Sequence, residues 1–312
     1  MKLKSLKMID HFLAASRSGS FHAAARDMSV TQTAITKSIR ELENVLGAPL
    51  FERSVKGVCL TVFGERFQRR AIQIEQQNKF LERELEELIA GQAGSLRIGA
   101  GMVWSDVFLP DLLASFSKTR PNLEITIRRS VGSRFRSLLE DGTIDIGLGL
   151  EPSPDEISPD VRFDPLTSIG TRFFVRWDHP LTHIEAVSLS DISAYPWAIY
   201  RLDALIFERA RRLFFDKSLL VGKPSFLADS SASVMSFVSQ TDHITCLPEP
   251  MSPMAERFNL KALKQLEGPT FRSGAVYMEA ATDYPLIQEI LRELKSFTSQ
   301  NRRVAASSAR PQ

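Results

Sequence analysis

Between residues 4 and 46 the apolar positions recur at helical spacing in three successive runs. Residues 4–17 set Leu6, Ile9, Phe12 and Leu13 on one side and predict a first helix. Ser18-Gly19-Ser20 breaks it, and Ser20 can cap a second helix whose inner face is Phe21, Ala24, Ala25 and Met28. Alanines on that face allow two helix axes to cross closely. A third run begins at Thr31, a good N-cap, carries Ile35, Ile39, Leu42 and Leu46, and stops at Gly47. Its opposite face holds Gln32, Thr33, Thr36, Lys37 and Arg40, with no carboxylate until Glu41. A short helix, a tight turn and a helix with a polar, cation-bearing face are the parts of a helix-turn-helix.

Two short extended pieces follow, Leu50–Arg53 and Val55–Thr61, around a Gly turn. Directly after a helix-turn-helix they read as a wing tipped with Arg53 and Lys56; a solvated surface hairpin is the plain alternative. From Thr61 to about Ala90, Phe67, Ala71, Ile74, Asn78, Leu81, Leu85 and Leu88 alternate spacings of four and three. Such a seam needs a partner, and one Asn within it often fixes register. The expected partner is the same helix of a second subunit, with packing against the chain's own C-terminal part as the alternative.

Gly91–Ser95 marks a boundary, after which strands and helices alternate. Strands are expected at 96–100, 124–131 and 144–148, then near 171–176, 196–200, 224–228, 243–247 and 274–280. Helices are expected at 106–118, 133–141, 203–215, 231–239 and 284–297, and this alternation implies a mainly parallel α/β sheet. The resulting divisions are 1–62 for the winged module, 63–92 for the linker helix and 93–300 for the α/β part. Residues 301–312 read as a flexible polar tail.

Composition is that of an ordinary globular chain, 43% hydrophobic and 24% charged. Distribution of charge says more than the net +2. Residues 1–70 hold 12 Lys+Arg against 6 Asp+Glu, or +6, which leaves −4 for the rest. A basic module on a mildly acidic body suits a DNA binder with a separate regulatory part. Cys59 and Cys246 stand in apolar surroundings and read as reduced and buried, because a redox switch needs an accessible, basic setting. With no leader-like or membrane-length apolar run, a cytoplasmic protein without membrane contact is expected.

By this point the chain resembles the LysR-type transcriptional regulators over nearly its whole length. The resemblance rests on Phe12 in Phe-Leu-Ala-Ala, Ser20-Phe21 with Ala24-Ala25, Val30-Thr31-Gln32, and Ile39-x-x-Leu42-Glu43. It continues through Leu46-Gly47, Leu50-Phe51-Glu52-Arg53, and Leu60-Thr61 with Gly64-Glu65. Thr33 stands where the family usually has Pro, and Lys56 where Arg is common. Thr33 is tolerable, since Pro there only pre-orders the turn.

This resemblance implies an N-terminal all-α winged helix-turn-helix and a dimerising linker helix. An α/β two-lobed effector domain like the periplasmic solute-binding proteins would follow. Lobe I would span about 93–165 and 269–300 and lobe II about 166–268, with crossings near Asp164–Thr167 and Gly268–Arg272. Family members usually form homotetramers as dimers of dimers, bind interrupted inverted repeats near promoters, and can engage RNA polymerase. The run Leu60 to Glu65 is similar to a group that includes regulators of aromatic-acid and sugar catabolism. An organic acid, an aromatic acid or a sugar is the implied effector, and no cofactor is expected.

In DNA binding, Thr31 opens the helix, Gln32 and Thr36 would reach base edges, and Thr33 would offer a methyl to thymine. Lys37, Arg40, Arg53 and Lys56 would hold phosphates. Effector contacts are expected at strand ends and helix starts in the cleft. Lobe I would supply Met102, Val103, Trp104, Ser105, Ser130, Gly132 and Ser133; Trp104 is read as cleft wall over core. Lobe II would supply Tyr200, Arg201, Asp229, Ser230, Ser231 and Thr245. Ser230 and Ser231 read equally well as helix caps, and Arg201 is either a carboxylate partner or a surface cation.

Two rival classes stand against this reading. Catalysis lacks a motif: His179 and His183 are interrupted by Pro180, and no third metal ligand presents itself. Asp242-His243 lacks a nucleophile elbow, and Gly99-x-Gly101 and Gly147-x-Gly149 lack the third glycine of a dinucleotide site. A cytoplasmic solute-binding protein without a DNA-regulatory role is the remaining rival, opposed by the basic N-terminal module.

Overall fold

The computed structural model describes residues 5–54, 57–90, 94–153, 160–200 and 224–308, and the chain divides into two compact units. In the first, α1 (Leu6–Ser18), α2 (Phe21–Asp27) and α3 (Gln32–Leu46) enclose Phe12, Leu13, Ala24, Ile35, Ile39 and Leu42. A hydroxyl caps each start: Ser5 accepts from Lys7 N at 3.2 Å, Ser20 from Ala23 N at 3.4 Å and Thr31 from Ala34 N at 3.2 Å. Each such cap contributes about 1 kcal/mol. Between α2 and α3, Ser29 turns the chain at φ 55°, and Val30 N–H donates to Ala25 O at 2.9 Å.

The wing is an antiparallel pair, β1 (Phe51–Ser54) and β2 (Gly57–Leu60), with Phe51 opposite Leu60. Glu43 ties it to α3, its carboxylate accepting from Leu50 N at 2.7 Å and Phe51 N at 3.3 Å. Thr61 Oγ1 donates to Pro49 O at 2.7 Å and accepts from Gly64 N at 3.0 Å, so it caps the next helix, α4 (Val62–Ala90).

Helix α4 carries three kinds of surface. Phe67 meets Phe12 edge-on at 4.9 Å and Ala71 is fully buried, so these two seam positions belong to the unit's own core. This corrects the expected seam: a helix rooted in α1 must use its first turns there, and the free stripe begins at Ile74. On another face Gln73 Nε2 donates to Asp160 at 3.0 Å, and Phe80 stacks on Tyr284 at 5.1 Å. Asp160, Val161 and Met278–Tyr284 group with this unit. The exposed stripe holds Ile74, Leu81, Leu85 and Ile89, while Asn78 turns sideways to Glu82 Oε1 at 2.8 Å. The Leu88 side chain lies outside what is described.

The second unit has two lobes. Lobe I is a five-stranded sheet of order β4 (Glu124–Arg129), β3 (Ser95–Ala100), β5 (Ile146–Leu150), β12 (Phe271–Met278), β6 (Val161–Ile169). β3 runs parallel to β4 and β5, and β12 antiparallel to β5. Helices α5 (Leu109–Thr119), α6 (Gly132–Glu140) and α10 (Pro285–Ser308) complete it. The glycines singled out in the sequence serve packing. A Cβ on Gly99, Gly147 or Gly149 would meet the Phe135 ring or Ile144 within 2.6–2.8 Å, so α6 lies on a floor without side chains. Residues 301–308 continue α10 where a loose tail was expected; no Gly or Pro interrupts the run before Pro311.

In lobe II, β7 (Thr171–Arg176) runs antiparallel between β10 (Thr245–Pro248) and β11 (Leu260–Glu267). A parallel pair, β8 (Ala198–Tyr200) and β9 (Phe226–Ala228), joins through the bridge Trp197–Ile244. Helices α7 (Leu189–Ser193), α8 (Ser231–Val238) and α9 (Ser252–Arg257) cover it. Phe173, Val175, Trp197, Ile244 and Leu263 form the core. The helix expected at 203–215 lies outside the described residues. The first crossing falls at Gly170 and not at Asp164–Thr167, because β6 stays in the lobe I sheet through Ile169. The second falls at Gly268, whose N–H donates to Thr171 O at 2.8 Å; Thr171 Oγ1 donates to Pro269 O at 2.9 Å. The two crossing segments are thus clasped to each other.

Candidate functional site

On the first unit, Gln32, Thr33, Lys37 and Arg40 are exposed along α3, Thr36 is half-buried beside them, and Thr31 is engaged as the cap. Gln32, Thr33, Thr36, Lys37 and Arg40 line a shallow concavity with Glu41 and Asn44. The inner residues Ile35, Ile39 and Leu42 are buried, which holds the polar face outward. Thr36 Oγ1 donates to Gln32 O at 2.9 Å. A second groove between α2, α3 and the wing is lined by Gln32, Thr36 and Arg40 together with Ser20, His22 and Glu52. His22 was missed in the sequence; its only signal was an exposed polar residue at the second position of a short helix. The Arg53 side chain and Lys56 lie outside what is described.

In the second unit, a polar network joins the lobes. The π-helical turn Trp104–Phe108 ahead of α5 presents Asp106, which forms an ion pair with Arg129 at the end of β4. Both belong to lobe I, yet each also bonds lobe II. Ser231 Oγ donates to Asp106 Oδ2 at 2.7 Å, and Arg129 Nη1 donates to the Tyr200 hydroxyl at 3.2 Å, with the guanidinium 5.6 Å from that ring. Ser105 Oγ lies 2.8 Å from Asp106 Oδ1 and 3.1 Å from Met102 O, with one proton to give. Burial alone would weaken the Arg129 charge, but the hydrogen bonds it donates to Tyr200 and Asp106 outweigh it and hold its pKa above the ordinary value.

The predicted cleft residues separate into groups. Ser105, Tyr200 and Ser231 join the network, and the sequence reading missed Asp106 and Arg129, which carry its charge. Ser130 and Thr245 are buried and their hydroxyls have no partner. Leaving such a group unpaired costs roughly 1–3 kcal/mol. Ser230 is the N-cap of α8, accepting from Ser233 N at 3.2 Å, so its capping reading holds. Gly132 begins α6, while Ser133 and Asp229 are exposed. Met102 and Val103 are buried. Trp104 is core and not cleft wall: it is fully enclosed, meets Phe108 edge-on and donates to Ser273 Oγ at 2.8 Å. A large ring with one polar atom is best satisfied where that atom finds an internal acceptor. Arg201 lies outside the described residues.

The thiols also depart from expectation. Cys59 is exposed on β2 rather than buried, because alternate positions of a two-stranded wing face water. Local desolvation and the Glu52 carboxylate push its thiol above the ordinary value. Burial pushes Cys246 up to about 11. His179 is fully buried against Tyr195, its Nδ1 accepting from Leu181 N at 3.1 Å, and His183 is exposed. Among the described residues no three His, Cys, Asp or Glu side chains group as metal ligands, and no helix is long and apolar enough to cross a membrane.

A winged helix-turn-helix, a long linking helix and a two-lobed α/β domain together define a DNA-binding transcriptional regulator with an effector-binding domain. Residues 6–65 match the bacterial regulatory helix-turn-helix proteins of the lysR family, and residues 90–298 match the LysR substrate binding domain. The chain belongs to the LysR family, which sets aside the solute-binding rival. It is 25% identical over 243 residues to the uncharacterized HTH-type transcriptional regulator YybE of Bacillus subtilis, covering 78% of this chain and 82% of that one. A probable nitrogen assimilation transcriptional activator of Synechocystis is 29% identical over 196 residues, 63% of each chain, so this chain spans less than two thirds of it. The solved structure of full-length CbnR with its target DNA is 16% identical and shares the fold with a TM-score of 0.51, covering 95% of this chain and all of that one.

Proposed function

We propose that this chain reads promoter DNA with α3 and changes its grip when a small molecule binds between the lobes of its second unit. The observation that carries the reading is the cross-lobe network. Two side-chain hydrogen bonds, Ser231 to Asp106 and Arg129 to Tyr200, join the lobes at the predicted cleft. A ligand with different affinity for joined and parted lobes shifts that equilibrium, and DNA spacing follows through linked subunits. Ser130 and Thr245 are buried hydroxyls that no protein group pairs, one on each lobe.

In this reading Gln32, Thr33 and Thr36 meet base edges, and Lys37, Arg40, Arg53 and Lys56 meet phosphates. The α4 stripe from Ile74 to Ile89 supports a homodimer, and the dimer-of-dimers tetramer is the working assembly. RNA polymerase is a further partner, the compartment is the cytoplasm, and the protein is not an enzyme. Footprinting on the chain's own upstream region, with and without candidate acids and sugars, tests it. A footprint that changes length or hypersensitivity with one compound is expected; footprints identical across the set, with the same compounds bound, count against it.

A further inference from the structure

The Asp106–Arg129 pair is the feature that effector binding alone does not explain. Both partners lie on lobe I, so the pair is not needed to join lobes, yet it sits where both lobes bond. The Arg129 side chain keeps 35% of its exposure while that of Asp106 keeps 10%. A guanidinium is a planar fork suited to two oxygens of one carboxylate, yet here Asp106 Oδ1 meets Nη2 alone, while Nη1 goes to the Tyr200 hydroxyl and Asp106 Oδ2 to Ser231. Ser130, next along the chain from Arg129, carries a buried hydroxyl with no partner.

Resting on the cleft reading above, we propose that Asp106 is an internal counter-ion standing in for the effector's acid group. The effector carries a carboxylate that takes its place on Arg129. Exchange of one carboxylate for another leaves the guanidinium paired throughout, whereas a neutral ligand would have to leave the pair intact or strand a charge. A cationic ligand is disfavoured because Asp106 is the enclosed partner, already accepting from Ser231 and facing Ser105. The exchange also does work on the lobes: moving Asp106 off Arg129 removes the acceptor that Ser231 reaches across the cleft.

The test uses the full chain and acetate, the Asp106 side chain as a free molecule, with acetamide and chloride at equal ionic strength as controls. Thermal unfolding and hydrogen exchange of the Ser231–Val238 helix are the readouts. Asp106→Ala is expected to gain a saturable acetate response with a midpoint at least tenfold below any in the parent chain, and acetamide should give none. Adding Arg129→Gln should abolish it. If Asp106→Ala folds poorly, Asp106→Ser also vacates the carboxylate's place and should show the same acetate dependence. Equal responses to acetate and acetamide, no gain over the parent, or a response that survives Arg129→Gln would each overturn the proposal. If acetate response appears but compounds never alter the DNA footprint, Arg129 stands and the link from cleft to DNA falls. If effector-dependent footprints persist without any acetate gain, the Asp106 assignment alone falls.

Discussion

Val58 donates its backbone N–H to the carbonyl of Gly19 at 2.9 Å, so the wing is pinned to the turn between the first two helices. Gly57 makes this possible: its φ is 138°, and a Cβ there would stand 2.4 Å from the same Gly19 oxygen. Gly57→Ala is therefore expected to displace the wing, lowering DNA affinity several-fold and destabilising the module by about 1–3 kcal/mol. Fluorescence anisotropy on a promoter fragment and chemical unfolding check both; unchanged affinity would mean the wing is not held by this contact.

Lys37 and Gln32 should separate by the kind of loss. Lys37→Ala is expected to weaken binding to every sequence and reduce the salt slope by about one unit, as for one phosphate contact removed. Gln32→Ala should relax preference at one base pair, by roughly 1–3 kcal/mol of discrimination, and leave the salt slope alone. A common loss pattern for the two variants would remove the distinction between positioning and reading.

Leu81, Leu85 and Ile89 are 53%, 50% and 87% exposed on α4, too much apolar surface on one helix face for a chain without a partner. Leu81→Glu with Leu85→Glu should lower the native mass by at least half without lowering helix content. Asn78→Leu should have little effect on mass, since Asn78 is bonded to Glu82 on its own helix. Native mass spectrometry and circular dichroism report the two quantities.

Mild acid should destabilise the chain through its buried histidines. Burial lowers the pKa of His11, His179 and His243 below the ordinary 6.5. The unfolded chain then takes up protons that the folded chain refuses, so stability is full above pH 6.5 and falls as pH drops through it. His11 is 3% exposed and neither ring nitrogen has a partner, which makes it the strongest case. His11→Leu should flatten the fall in melting temperature between pH 7.5 and 5.5; an unchanged fall would place the effect in His179 and His243.

The DNA-binding half was the more legible in the sequence, because capping hydroxyls, apolar spacing and glycine stops are local signals. Thr31, Ile35, Ile39, Leu42 and Gly47 all act within one helix of where they are read. Strands β6 and β11 were invisible for the same reason. Asp164-Pro165 interrupts the first, and Leu260-Lys261-Ala262-Leu263-Lys264 has helical spacing; only their sheet partners make them strands. Asp106 and Arg129 were missed because 23 residues separate them and neither carries a motif. Trp104 was misplaced because its acceptor, Ser273, lies 169 residues away.

In the proposed reading, the bond from Thr36 to the carbonyl of Gln32 limits what that side chain can say to a base pair. Its one proton is already given to the helix, so while the bond holds Thr36 has only lone pairs and a methyl to offer. Adenine N6, cytosine N4 and the thymine methyl fall within that vocabulary, and guanine's N7 and O6 do not. A single backbone carbonyl thus strikes guanine from the bases this hydroxyl can address, leaving a G·C pair readable only through its cytosine.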